Sequence, residues 1–375
     1  MHLPFCEAKC HYCDFFSLPA EGQDVDGMVG AVLEEARLRA PRKPRTLFIG
    51  GGTPSLLSRA QLERFLDGLD ELTQYREHAR EVTLECNPES LDADKARLLL
   101  DRGVRRLSIG FQSLRPETLE LFGRVHDASQ SFRAFEAARS AGVEDINVDL
   151  IYAAPGNDAD RWRVDLQRVL DLGLDHLSAY NLAFEEDTVF SRRLRDGTLA
   201  PLPDELELEM LAITREMTAT AGLAAYEISN YARPEHECRH NLNYWANGDY
   251  VGLGPSAVSH IEGVRLGNTR GIEAYRGALA GGEGPATWSE RLEPTARLGE
   301  TWWLGLRRTR GVDPAEARAV AGVDEGRDPA VPVARGLVEQ GLLERDGARY
   351  RLSARGLPLA DRVAAEFLQS TPATP

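Results

Sequence analysis

Met1-His2-Leu3-Pro4-Phe5-Cys6-Glu7-Ala8-Lys9-Cys10-His11-Tyr12-Cys13-Asp14-Phe15 opens the chain, and its three cysteines fall within eight positions. Their spacing is Cys6-x3-Cys10-x2-Cys13. Thiolates are the soft ligands that iron–sulfur clusters select. A cubane has four irons, so three thiolates leave one iron with an open coordination position, where a chelating small molecule can bind. Zinc would accept the same set if His2 or His11 completed it. Three inert buried cysteines are the bland alternative, and a polar loop carrying two histidines is a poor place for them.

The rest of the chain narrows the compartment and the partners. Five cysteines in 375 residues, three of them in one loop, read as a metal site in a reducing cytoplasm. The net charge of −15 argues against nucleic acid, whose recognition relies on clustered Lys and Arg. No apolar run approaches the roughly 20 residues that span a bilayer, and the opening residues do not read as a secretory leader. A transient contact with a membrane surface stays open.

Beyond the loop, short β-type runs alternate with helical ones to about residue 222. The strands expected are 46–50, 82–86, 106–111, 146–151 and His176–Asn181, and the helices include 28–40, 60–72, 160–172 and 205–219. Gly103, Gly142 and Gly173 stand where a helix needs a left-handed residue to end. Such alternation predicts βα units around a parallel sheet, with sites at the carboxyl ends of the strands. Five strands make an incomplete barrel, and a sixth would have to precede His2. After residue 222 the rhythm stops. A Tyr-, Asn- and Gly-rich stretch covers 226–266, a Gly/Pro stretch at 281–285 reads as a linker, and helical periodicity returns at 294–309 and 330–340. Residues 341–352 read as a β-hairpin with an Asp-Gly turn. Helix, helix, hairpin suggests a winged-helix-like α+β unit. The organisation expected is a core barrel over 1–222, a middle segment over 223–285 and a C-terminal winged-helix-like domain over 286–375.

Phe48-Ile49-Gly50-Gly51-Gly52-Thr53-Pro54-Ser55 follows the first of these strands. Consecutive glycines let the backbone approach a ligand without a Cβ clash and expose hydrogen-bonding groups. No Gly-Lys-Ser/Thr follows, so this is not a phosphate-binding P-loop, and it is not a dinucleotide fingerprint.

Together, His2-Leu3-Pro4-Phe5-Cys6-x3-Cys10-x-Tyr12-Cys13-Asp14-Phe15 and Gly50-Gly51-Gly52-Thr53-Pro54 resemble the radical S-adenosylmethionine superfamily. More narrowly they resemble the branch holding oxygen-independent coproporphyrinogen III oxidase and the HemW-type haem chaperones. The resemblance implies a partial (β/α)6 barrel and a 4Fe–4S cluster on Cys6, Cys10 and Cys13. It also implies S-adenosylmethionine chelating the open iron, with cleavage to a 5′-deoxyadenosyl radical as the family's chemistry. Gly51, Gly52 and Thr53 would meet the methionine end of that cofactor. By the same match Glu85, Gln112 and Asp149 at strand ends would contact it, and Arg124 would neutralise its carboxylate. The family places a strand and a tyrosine before the His-x-Pro-Phe-Cys stretch. The first strand is therefore expected to be missing or truncated here, whether through a misassigned start or a shortened chain.

Two features then divide the branch. Its catalytic oxidases carry a fourth cysteine two residues after the third ligand, where this chain has Phe15, so decarboxylation of coproporphyrinogen III is in doubt. His240-Asn241-Leu242-Asn243-Tyr244-Trp245 resembles the His-Asn-x-x-Tyr-Trp motif of the HemW-type proteins, outside the barrel. An imidazole can be an axial iron ligand, and Tyr244 and Trp245 offer flat faces to a macrocycle. His236 and Cys238 are alternative iron ligands, whereas Cys86 reads as a small buried residue. The function expected is haem carriage to haem-requiring enzymes in the cytoplasm. The alternative is oxidation of coproporphyrinogen III to protoporphyrinogen IX.

Overall fold

β1 (His2–Leu3), β2 (Thr46–Gly51), β3 (Glu81–Cys86), β4 (Arg106–Gln112), β5 (Asp145–Tyr152) and β6 (His176–Asn181) lie side by side in chain order, all parallel. The computed structural model describes residues 1–369, so the Pro/Thr-rich tail Thr371–Pro375 lies outside them. The five expected strands form at nearly the expected bounds. The sixth does not precede His2: it is the two-residue β1, with His2 opposite Gly50 and Leu3 opposite Gly51. Beyond β6 the sheet continues into two short antiparallel strands, Asn230–Ala232 and then Ala224–Ala225.

A period of two divides each strand between two environments. Val82 and Leu84, Leu107 and Ile109, and Ile146 and Val148 are buried in a core shared with Met28, Phe65, Leu99, Phe135, Leu166 and Met210 from the surrounding helices. The alternate positions are polar. Register places Glu85, Ser108, Asn147 and His176 in one row across β3–β6, with Arg106 and Asp145 one row below and Gly110, Asp149 and Ser178 one row above. The inner face of the barrel is thus a stack of polar rows. The helices are firmly bounded: Ser58 with Gln61 and Asp127 with Gln130 form capping boxes. Gly142 closes Ala128–Ala141 at φ 94°.

The later part of the chain departs from the expected outline in two places. Residues 281–285, expected as a linker, lead from helix Ile272–Ala280 straight into strand Ala286–Arg291. That strand pairs with Val264–Asn268 at the edge of a three-stranded antiparallel layer, so the stretch connects a helix to a strand of that layer. In the hairpin Leu343–Asp346/Arg349–Leu352, Asp346 pairs with Arg349. The two-residue loop is therefore Gly347-Ala348, one position later than the expected Asp-Gly. Gly347 takes the positive φ of 59° that a tight hairpin asks of its first residue. A second core, around Trp302 stacked on Phe367 at 4.7 Å, joins this hairpin to helices Pro294–Gly305, Pro314–Ala321, Ala330–Glu339 and Ala360–Gln369.

Candidate functional site

Aromatic packing seats the cysteine loop on the mouth of the barrel. The ring of Tyr12 lies edge-on to Phe122 at 5.0 Å and close to Phe190, in a cluster with Ile151 and Leu182 at the carboxyl ends of β5 and β6. His11 is pinned at both ends of its peptide, by Phe122 O and by the Phe190 amide. Cys6, Cys10 and Cys13 are all free and half-buried. Burial raises the Cys6 thiol and pushes Cys13 up to about 11, so ligation must release their protons. Among the described residues no set of three or more His, Cys, Asp or Glu converges on a single metal ion. The histidines that zinc would need each spend a ring nitrogen on a carbonyl, His2 on Phe16 O at 2.7 Å and His11 on Leu121 O at 2.8 Å. Three thiols facing separate irons fit this loop better than one tetrahedral ion.

The glycine turn meets the cysteine loop, and its amides are already spent. Gly52 N donates to Leu3 O and Thr53 N to Phe5 O, both at 2.7 Å, while Gly51 N donates to Glu85 Oε2 at 3.1 Å. A Cβ on Gly52 would lie 2.5 Å from Phe5 O, and Gly51 has a φ of 106° with its Cβ direction blocked by the His2 ring. These glycines therefore serve a close approach within the chain.

Glu85 on β3 and Asp149 on β5 stand two strands apart on the polar face, close enough for the charge of one to act on the other. Burial, and next the charge of Asp149, raise Glu85 to about 7. Asp149 is also raised by burial, although Ser108 Oγ and Asn147 Nδ2 donate to it at 2.9 and 2.8 Å. No Lys, Arg or His side chain forms an ion pair with either among the described residues. Two half-buried carboxylates without a basic side-chain partner fit a cationic ligand, such as one carrying a sulfonium and an ammonium. Gln112 stands on the same rim at φ 64°, where a register shift after Gly110 bends β4.

Arg124 is tied to the cysteine loop within the chain itself. Its Nη1 donates to Cys10 Sγ at 3.4 Å, and its Nη2 to Asn87 Oδ1 at 2.9 Å and Gly110 O at 3.1 Å. Burial alone would lower its pKa, but the Cys10 sulfur, Tyr12 and Glu89 outweigh that and raise it. It sits against a thiolate ligand, held by Asn87, which also donates to Thr53 Oγ1 and Glu89 Oε1. Asn87, Glu89 and His126, whose Nδ1 lies 3.3 Å from Glu89 Oε2, join the site without having been expected from the sequence. For Asn87 and Glu89 the signal is a pair of polar residues around Pro88, directly after an apolar strand.

The motif His240–Trp245 lies at the opposite end. Its helix, Arg239–Trp245, packs against the amino ends of the strands. Glu81, the first residue of β3, accepts from Arg239 N at 2.6 Å, His240 N at 3.0 Å and Cys238 Sγ at 3.5 Å. The His240 ring stacks on Phe48 at 5.4 Å, with Nδ1 bonded to Thr46 Oγ1 at 2.9 Å and Nε2 to Tyr244 OH at 2.8 Å. Burial lowers its pKa to about 3, so the ring is neutral. Asn241 and Trp245 are half-buried. His236 pairs with Asp145 at 3.7 Å. The polar rows join the two ends: Asn147 Oδ1 bonds His176 Nδ1 at 2.6 Å, and His176 Nε2 bonds Tyr226 OH at 2.8 Å. Replacing Glu81 by alanine strips the cap from the motif helix. Unfolding by denaturant is expected to show a loss of about 2–3 kcal/mol, the scale of charge-assisted bonds to buried amides. A loss under about 0.5 kcal/mol would mean that the helix is held by packing alone.

Comparison with known proteins covers both ends of the barrel. Residues 1–169 match the Radical SAM superfamily. Over 374 residues the chain is 34% identical to the haem chaperone HemW of Bacillus subtilis, covering 98% of each chain. It is 35% identical to HemW of Mycobacterium tuberculosis over 98% of this chain and 94% of that one. The fold superposes on the coproporphyrinogen III oxidase HemN of Escherichia coli with a TM-score of 0.85, over 99% of this chain and 89% of that one, at 24% identity. That likeness concerns the fold. Among the described residues no helix is long and apolar enough to cross a membrane.

Proposed function

The chain belongs to the radical SAM superfamily and, within it, to the HemW haem chaperone family, and from that premise we propose that it binds haem and passes it to haem-requiring enzymes of the cytoplasm. The observation that carries this reading is the full-length similarity to HemW proteins. It extends through the motif helix and the C-terminal unit, well past residue 169 where the superfamily match ends. Phe15, 64% exposed beside the cluster loop, supports it, because the catalytic oxidases of this branch carry a cysteine there.

Cys6, Cys10 and Cys13 would hold the 4Fe–4S cluster, and Glu85, Asp149, Gln112 and the carbonyls of Gly51, Gly52 and Thr53 would surround S-adenosylmethionine. When bound, the cluster supplies an open iron and a single electron. The residues of the chain do the rest. Arg124 fixes Cys10 and carries positive charge to the cluster edge, and Glu85 and Asp149 provide the negative charge that a sulfonium and an ammonium need. Haem is proposed to engage His240, Asn241, Tyr244 and Trp245. A neutral His240 is the ligating form. Freeing its Nε2 from Tyr244 costs about 1 kcal/mol, the net value of one such hydrogen bond, which is small beside an iron–imidazole bond.

An anaerobic assay tests the reading. With cluster reconstituted, S-adenosylmethionine and reductant added, the chain is expected to bind haem and leave coproporphyrinogen III unchanged. His240→Ala is expected to weaken haem binding by about tenfold or more, the scale of a lost ligand. Steady formation of protoporphyrinogen IX would replace the carrier reading with the enzyme one.

A further inference from the structure

Three buried nitrogen donors on or near the motif helix have no hydrogen-bond partner among the described residues. Arg308, just past helix Pro294–Gly305, is 8% exposed, and its Nε has no hydrogen-bond partner. It forms no ion pair among the described residues. The buried Nε of Arg307 and the indole Nε1 of Trp245 are equally unpartnered, and Arg307 lies over the Trp245 ring at 5.0 Å. Arg308 and Arg310 line a cavity of about 100 Å³ with Ala246, the residue after Trp245, and Thr301.

The acids near this cavity are already occupied. Asp313 accepts from Ala315 N and caps its helix, and Glu316 pairs with Arg349 at 2.5 Å. Burial, and next the charge of Arg310, lower Arg308 to about 10, which leaves it charged at neutral pH. The charge of Glu316 offsets this only in part, since it forms no ion pair with Arg308, and a buried charge without a bonded partner costs stability. A planar guanidinium matches a carboxylate in two parallel bonds. The volume is a few times the roughly 30 Å³ of one water, so a carboxylate on a short arm enters and a macrocycle does not.

We propose that this pocket takes one propionate carboxylate of haem on Arg308, leaving the macrocycle outside it, toward the motif helix that ends at Ala246. The assignment rests on the haem-carrier reading and adds to it a site that fixes how haem is held. Haem and its dimethyl ester, in which both carboxylates are blocked, separate the two. The wild-type chain is expected to bind haem about tenfold or more tightly than the diester, the scale of a buried charge-assisted pair. Arg308→Gln and Arg308→Met are expected to bind haem as weakly as the diester, with melting temperatures unchanged or raised, because each removes an unpaired buried charge. Equal wild-type affinities for haem and diester would overturn the propionate site and leave the carrier reading standing. A wild-type chain that binds neither ends both. Variants that weaken both ligands alike, or melt lower, would make Arg308 a structural residue and also overturn the proposal. Sodium succinate tests a free carboxylate as occupant. If it stabilises the wild type but not Arg308→Gln while haem and diester bind alike, the pocket serves a small dicarboxylate instead.

Discussion

Replacing Cys10 by serine is expected to abolish the cluster, taking iron and acid-labile sulfide from about four each per chain to near zero. Cys10 is the middle ligand of the loop and is tied to the barrel through Arg124. Its sulfur accepts from Arg124, its carbonyl accepts from Cys13 N at 3.3 Å, and the neighbouring His11 is fastened to Phe122 and Phe190. A serine hydroxyl is a hard and weakly acidic donor, so two thiolates would have to hold the irons alone. The other two cysteines supply the control. Cys86 is buried, its thiol pointing to Leu84 O, and Cys238 is buried against Glu81. Serine at either position is expected to leave iron and sulfide unchanged. A Cys10→Ser chain that keeps full sulfide, or a Cys86→Ser chain that loses it, would remove the loop from its assigned role. Zinc without sulfide in the wild type would do the same.

The cluster loop and the five long strands are legible in the sequence because each is a local signal. Three thiols in one loop need no tertiary context, and runs such as Val82–Leu84 and Leu107–Ile109 announce buried strands by composition. What stays hidden depends on register and on distance. The two residues of β1 carry no periodicity, and only their pairing with Gly50 and Gly51 makes them a strand. Consecutive glycines suggest a turn that reaches for a ligand, but the amides of this one are spent on Leu3, Phe5 and Glu85. That Arg124 meets Cys10 and Asn87 is also hidden, because the contact exists only once the end of helix Pro116–Phe122 packs beside the loop. The motif helix lies against the barrel, and nothing in His240–Trp245 reveals that Glu81, some 159 residues earlier, caps it from the amino end of β3. Arg308 is hidden for the same reason: an unpaired arginine looks like any other until its surroundings are known.

Glu85 should pull the stability of the ligand-free chain down as pH rises, against the usual behaviour of carboxylates. Its pKa in the folded chain is raised to about 7 by burial and then by Asp149, which is raised by burial too. In an unfolded chain a glutamate titrates near 4.3. Between these two values the folded state holds a proton that the unfolded state has released, so the folded state is favoured at the acid end. The contribution is fully present below about pH 4.3 and lost as pH passes about 7. Each tenfold change in proton affinity corresponds to about 1.4 kcal/mol. Some solvent reaches this half-buried carboxyl, so about 1–3 kcal/mol is the expected range. The α-amino group of Met1 works the other way: burial lowers it to about 6, so its contribution is present above about pH 8 and lost as pH falls through 6. Glu85→Gln keeps the size and removes only the carboxyl titration, so the amine largely cancels between the two chains. Denaturant unfolding between about pH 5 and pH 8 should show the wild type losing stability relative to the variant, with the variant ahead at the alkaline end. A cation seated between Glu85 and Asp149 prefers both ionised, so S-adenosylmethionine should bind more tightly as pH rises through about 7 and release a proton on binding. That dependence should shrink in Glu85→Gln. A variant whose stability runs parallel to the wild type over this window would show that Glu85 is ionised in the folded chain, and the pair would then need a permanent cation that no side chain supplies.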